Sequence, residues 1–397
     1  MNEQLIKKRE SGDRVEKIWS RDFVLICCAN FFIFLGFQMT LPTLPLFVKQ
    51  LGGNDQLIGL VVGIFTFSAL LIRPYAGHAL ESKGRGLVYL VGLLIFVLSV
   101  GSFGWAMGMA FLFAMRIIQG IGWGLSTTAS GTIATDLIPA SRRGEGMGYY
   151  GLSGNIALAL GPSLGLALTG VLSFKQLFLL CAVLGLAALL MGSRIRYKKV
   201  DQNPKQVTNV KWDLYEKSAL QPSVLLFFLT VTFGGIASFL PLYAAQKGVP
   251  GIQWYFLIYA IFLMLSRTFA GQLYDRKGHQ AVFIPGALLI FLAMILLAWL
   301  PNSVVLYTAA ALYGLGFGSV QPALQAWSVA RAPRNRKGMA NATFFSFFDL
   351  GVGIGAIIFG QIGHLFGYDS IYETAAASVF ISILLYLYIL RKNKQMA

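Results

Sequence analysis

Four ionisable side chains lie inside stretches that are otherwise almost free of charge: Arg73, Arg116, Arg267 and Asp349. The acid sits in TFFSFFDLGVGIGAIIFG, residues 343–360, among aromatic, aliphatic and glycine residues. A carboxylate in such surroundings can take up and release a proton, and a guanidinium can pair with it while it is ionised. The chemistry on offer is therefore reversible protonation tied to the making and breaking of an ion pair. Hydrolytic or metal chemistry has no comparable basis. His78, His279 and His364 are scattered near the ends of apolar runs without ligand spacing, and they read as interfacial polar residues. Cys27, Cys28 and Cys181 fall inside apolar runs, with neither metal nor disulfide spacing, and read as small apolar side chains. With no nucleophile–base pair and no metal cluster, the chain is not expected to be an enzyme.

The elements that must position these groups follow from composition. Of 397 residues, 56% are hydrophobic and 12% charged, with a mean hydropathy of +0.67, whereas a soluble protein carries about 25% charged residues. Apolar runs of about 20 residues, enough to cross a bilayer, occur at 22–48, 56–80, 87–106, 109–137, 145–172, 174–194, 220–246, 252–274, 281–300, 303–330, 339–366 and 370–390. The expected fold is an all-α membrane protein with twelve transmembrane helices. The polar stretch 195–219 divides them six to six. This gives a tail over 1–21, a first bundle over 22–194, a linker over 195–219, a second bundle over 220–390 and a tail over 391–397.

Charge placement gives the orientation. Lys49, Lys175 and Lys247 lie in alternate loops and Arg73, Arg116 and Arg267 within spans; every other Lys and Arg falls in a tail or in the loops on the side of the tails. By the positive-inside rule both termini are cytoplasmic. The net charge of +16 is thus topological and does not point to nucleic acid. Residues 1–21 mix acids with bases, and the apolar run that follows is too long for a cleaved signal, so a cytoplasmic tail is expected there.

The two halves repeat each other. RPYAGHALESKGRG begins at Arg73 and RTFAGQLYDRKGHQ at Arg267, and the same offset aligns Gly77 with Gly271, Glu81 with Asp275 and Gly84 with Gly278. It also aligns Gly120, Gly122 and Gly124 with Gly314, Gly316 and Gly318, and Pro139, Arg142 and Gly144 with Pro333, Arg336 and Gly338. Two parallel six-helix repeats make a transporter with its site between the halves. GIGWG and GLGFG resemble nucleotide loops in composition only, because they lie mid-span without a preceding strand; they are helix-packing glycines.

These residues resemble the major facilitator superfamily over essentially the whole chain. Gly77, Glu81, Gly84 and Arg85 occupy the positions of its G-x-x-x-D-x-x-G-R signature, with Glu81 in place of Asp and Ser82 in place of a base. Gly271, Asp275, Arg276 and Gly278 repeat it. An acid beside basic residues on a tight glycine turn can hold helix ends together at a cytoplasmic gate. LGFQMTLPTLP, from Leu35 to Pro45, resembles the first-span pattern of twelve-helix drug exporters. Arg116, Gln119, Gly120 and Gly124 resemble the R-x-x-Q-G motif linked to proton transfer. Gly161, Pro162 and Gly165 resemble the antiporter motif, with Leu166 replacing its second glycine; small residues there are expected to bring the fifth helix close to the eighth.

The resemblance implies a central cavity lined by the first, fourth, seventh and tenth helices. Polar and aromatic residues recur there at helical spacing: Asn30, Phe34 and Gln38 in the first, Arg116, Gln119, Trp123 and Thr127 in the fourth, and Tyr313, Phe317, Gln321 and Gln325 in the tenth. The seventh offers Thr232, Ser238 and Tyr243. An amide facing lipid would be left unpaired, so the glutamines are candidate cavity residues. Such a lining suits an amphipathic solute, neutral or weakly anionic.

The resemblance also implies that the second helix packs on the eleventh and the fifth on the eighth. Arg73 and Asp349 then lie about 12 and about 16 Å deep, at 1.5 Å per residue, within reach of each other. The offset maps Asp349 onto Asn155. Two pseudo-symmetric contacts are expected, Arg73 with Asp349 and Arg267 with Asn155. Proton coupling is assigned to Asp349, Arg116 and Arg73. The expected function is proton-driven export of small amphipathic molecules or drugs across a bacterial inner membrane, by a monomer without cofactor. The alternative is a carrier of the same fold dedicated to one metabolite, such as a sugar, a siderophore-like compound or a lipid precursor.

Overall fold

The computed structural model describes residues 18–139, 142–197, 215–333 and 337–395. Twelve of its helices are long and apolar enough to cross a membrane. They are α1 (Arg21–Gln50), α2 (Asp55–Ser82), α3 (Arg85–Ser102), α4 (Met109–Leu137), α5 (Arg143–Leu168) and α6 (Phe174–Ser193) in the first half. The second half holds α7 (Leu220–Gln246), α8 (Ile252–Tyr274), α9 (Arg276–Trp299), α10 (Ser303–Ala330), α11 (Lys337–Phe366) and α12 (Tyr368–Gln395).

In hydrocarbon every backbone polar group must be satisfied within its own segment, which is why apolar runs of this length become helices. Four of their starts, those of α1, α2, α6 and α10, carry side-chain caps. Ser20 accepts from the Phe23 N–H at 3.2 Å, Asn54 from Leu57 at 3.0 Å and Asn302 from Val305 at 3.1 Å, while Ser173 and Gln176 form a capping box. Several helices extend past the apolar runs, as α12 does to Gln395, because helical hydrogen bonding continues into polar sequence.

Between α8 and α9 no loop intervenes. The chain is helical from Ile252 to Trp299 and is broken only at Gly278, within the first turn of α9, with φ 74° and ψ 180°. Its repeat partner Gly84, between α2 and α3, has φ 93° and ψ 150°. Only glycine adopts that region without strain, so the signature glycines at these two positions are set by backbone geometry.

Within each half the core is helix against helix: α1 on α5 and α6, α4 on α2 and α3, α7 on α11 and α12, α10 on α8 and α9. Between halves, α2 packs on α11, α5 on the α8–α9 segment and α1 on α7. The closest approach is where α2 begins and α11 ends. A Cβ on Gly360 would lie 2.6 Å from the Asp55 carbonyl oxygen, and one on Gly59 would strike that of Ala356. Gln56 Nε2 donates to Gln361 Oε1 at 2.7 Å. Tyr368 donates to Asp55 at 2.7 Å, and Lys49 lies 2.8 Å from the same oxygen. At the opposite end, Gly77, Gly151 and Gly271 have open space where a Cβ would sit. The halves are close-packed at the end where α2 begins and α11 ends.

Candidate functional site

Arg73, on α2, and Asp349, on α11, belong to different halves. Nη2 of the arginine lies 2.8 Å from Oδ2 of the aspartate, and the two side chains are 26% and 27% exposed. The approach is close but not hydrogen-bond aligned: among the described residues neither Asp349 Oδ2 nor Arg73 Nε has a hydrogen-bond partner. It is held by charge, so adding a proton to Asp349 removes its main attraction.

The symmetry-related contact is absent. Arg267 on α8 donates through Nη2 to Gln321 Oε1 on α10 at 3.2 Å, and no hydrogen bond joins it to Asn155. The expected Arg267–Asn155 bridge is thereby corrected. An amide within the same half already accepts from the guanidinium, and neutral Asn155 offers no charge to draw it across to α5.

Arg116 is 1% exposed. Its Nε donates to the Val61 carbonyl at 2.9 Å and its Nη1 to Gln119 Oε1 at 2.5 Å, while the guanidinium lies 4.3 Å from the Phe65 ring centroid. The contacts to Val61 and Phe65 bind α4 to α2 inside the first half, while that to Gln119 stays within α4. Among the described residues, Arg116 Nη2 and Gln119 Nε2 are buried without partners.

The candidate cavity residues separate into two sets. Some belong to networks inside one half. Asn30 donates to Ser153 and accepts from Tyr150, both at 2.9 Å, and Tyr150 in turn meets Ser130 at 2.7 Å, tying α1 to α4 and α5. Tyr313 meets Thr232 at 2.9 Å, Gln325 donates to Asn341 at 2.8 Å, and Trp123 stacks on Phe37 at 4.1 Å and contacts Phe34 at 4.8 Å. Gln38 is buried with an unpartnered Oε1. The second set surrounds Arg267 and Asp349. Gln321 holds the arginine, Phe317 stacks on Tyr313 at 5.6 Å, and Phe348, the neighbour of Asp349, meets Phe317 edge-on at 6.2 Å.

At the signature segments, Glu81 and Asp275 have side chains outside the described residues, and Arg276 is exposed. Arg85 pairs with Asp136 at the end of α4, an acid that sequence reasoning did not single out. It joins helix ends within one half. His279, the repeat partner of Arg85, stacks on Trp327 at 4.2 Å and its Nδ1 meets the Tyr386 hydroxyl at 2.7 Å, a more specific place than an interfacial polar residue.

The antiporter-type glycines serve a different neighbour from the one expected. A Cβ at Gly161 would lie 2.5 Å from Gln38 Cβ, and one at Gly165 2.5 Å from the Met39 carbonyl oxygen, so they admit α1. Spacing of four puts both on one face of α5. Ser163 points the other way, donating to the Gln253 carbonyl on α8 at 2.9 Å.

Comparison with known proteins agrees with this architecture. The sequence profile of the Major Facilitator Superfamily matches residues 26–356 and 248–396. Among curated relatives, the staphylopine export protein of Staphylococcus aureus is 22% identical over 355 residues, covering 86% of this chain and 89% of that one. The quinolone resistance protein NorA of Staphylococcus aureus is 25% identical over 350 residues, with 84% and 87% covered. Among solved structures, a mutant of the nucleoside transporter NupG superposes with a TM-score of 0.76 at 14% identity, covering 92% of this chain and 99% of that one.

Proposed function

The chain belongs to the major facilitator superfamily, and we propose that it is a proton-driven exporter of small amphipathic molecules working by alternating access. The observation that carries this reading is the Arg73–Asp349 pair. It is the one ion pair between the halves that the described residues show, and it lies on the α2–α11 interface inward of its close-packed end. While it holds, α2 and α11 are drawn together at mid-depth. Protonation of Asp349 removes the attraction and lets the halves rock about the site, exchanging which end is closed. A proton taken up on one side can then be released on the other.

Arg116 has a supporting part in this reading. Its guanidinium braces α2, the helix that carries Arg73, through the Val61 carbonyl. The clustering of Lys and Arg at the end opposite the close-packed one makes that end cytoplasmic, with both termini on the same side. Likeness to a staphylopine export protein and to a quinolone resistance protein of a bacterium supports the outward direction and a bacterial cytoplasmic membrane. The working unit is a monomer that needs no cofactor beyond the proton gradient.

Proteoliposome transport with an imposed pH gradient tests this. Gradient-dependent movement of a fluorescent amphiphile that Asp349→Asn abolishes, with protein yield unchanged, is the expected result. Movement indifferent to the gradient in the unaltered protein would remove the coupling. The staphylopine relative favours a second reading, a carrier dedicated to one metabolite. Resistance profiling beside metabolite export in a deletion strain separates the two.

A further inference from the structure

The two halves treat their equivalent arginines differently. Arg73 has a carboxylate from the opposite half at 2.8 Å. Arg267 has only the neutral Gln321 at 3.2 Å, its Nε is buried without a partner, and no carboxylate pairs with it among the described residues. Where repeat symmetry would place its acid, the chain has Asn155. A guanidinium at membrane depth without a counter-charge is costly, and such groups are matched by an acid or mark a substrate path. Asp349, the acid deep in α11, is already engaged by Arg73.

The surroundings say what kind of group would complete it. Gln321 accepts from Arg267 through Oε1, which leaves its Nε2 to donate beside the guanidinium. Two adjacent donor groups carrying one net positive charge match the two oxygens of a carboxylate. Phe317 is one turn from Gln321 on α10, stacked on Tyr313 and met edge-on by Phe348. An apolar or aromatic body attached to the acid would lie along this wall.

We propose that Arg267 and Gln321 form a carboxylate-binding subsite, and that the transported class is amphipathic organic acids whose carboxylate supplies the counter-charge that Asn155 does not. The proposal rests on the exporter reading for its role but not for its test, which measures binding without any gradient.

The probes are an aryl-alkanoic acid, 6-(2-naphthyl)hexanoic acid, and its methyl ester, titrated against the full chain in nanodiscs. The unaltered protein binds the acid about tenfold or more tighter than the ester, the difference that a charge-assisted bidentate contact makes. In Arg267→Gln that ratio falls to near one, and Arg267→Lys keeps part of it. Asn155→Asp, which places a fixed acid where symmetry puts it, weakens the acid more than the ester. If Arg267→Gln does not fold, the lysine and Asn155→Asp variants carry the test. A ratio near one in the unaltered protein, or one that survives loss of the guanidinium, overturns the proposal. Gradient-driven export of the ester is scored separately. Export of the ester with an acid-to-ester ratio of one removes the substrate class and leaves the exporter. A preserved ratio with neither probe moved leaves the subsite and removes the exporter.

Discussion

Nη2 of Arg73 and Oδ2 of Asp349 meet at 2.8 Å across the boundary between the halves. The contact joins the α2–α11 interface near its middle, with the close-packed stretch of Gly59, Ala356 and Gly360 on one side of it and the open space at Gly77 on the other.

Asp349→Asn keeps the shape of the side chain and removes its titration. Gradient-driven uptake into inverted vesicles is expected to fall at least about tenfold, while exchange of labelled for unlabelled solute continues, since the halves still rock. Loss of both activities together would assign Asp349 to folding or binding instead.

The strength of the pair is measurable in a double-mutant cycle of Arg73→Gln and Asp349→Asn. Both groups are about one-quarter exposed, so the expected coupling is about 1 kcal/mol, within the range for contacting charges. The readout is the thermal midpoint in detergent; midpoint shifts that simply add would show that the pair contributes nothing to folding.

Gly84→Ala and Gly278→Ala force a side chain into a region of backbone space that disfavours it, at a cost of about 1–3 kcal/mol each. Lower melting temperatures are expected for both. Gly77→Ala and Gly271→Ala, in helical stretches with open space around the site, leave the midpoint unchanged or slightly raised. Equal effects at all four positions would contradict the geometry described.

The close-packed end should open once per cycle. In a background lacking Cys27, Cys28 and Cys181, cysteines replacing Gln56 and Gln361 (whose amides meet at 2.7 Å) can be joined by a short thiol cross-linker. Transport is expected to stop on cross-linking and to return on reduction of a cleavable linker. Continued transport with the linker in place would mean that this end need not part.

Much of the fold was legible because hydrocarbon permits little else. Apolar length fixed the spans and a constant offset fixed the repeat, and the pairing of Arg73 with Asp349 followed from depth once α2 and α11 were neighbours. What was not legible involves partners distant in sequence and without periodicity. Asp136 stands at a helix end with nothing to mark its bond to Arg85. Tyr368 reaches Asp55 from the far end of the chain. The spacing of Gly161 and Gly165 defined a face of α5 but not the helix that would occupy it, which proved to be α1. Asn30 and Tyr313 were correctly marked as polar residues needing partners, yet they find them within their own halves. Arg267 defeated the symmetry argument because the acid that would have drawn it to α5 is an amide.

The glycine breaks at Gly84 and Gly278 give the molecule an internal ancestry. Two turns of matching backbone conformation at matching positions are what a duplicated six-helix unit leaves behind. The inherited side chains have diverged: Arg85 corresponds to His279, and Asn155 to Asp349. A symmetric ancestor built from two copies of one unit carried either two such acids or none. The difference between Asp349 and Asn155 therefore dates from after the fusion, when each copy became free to specialise.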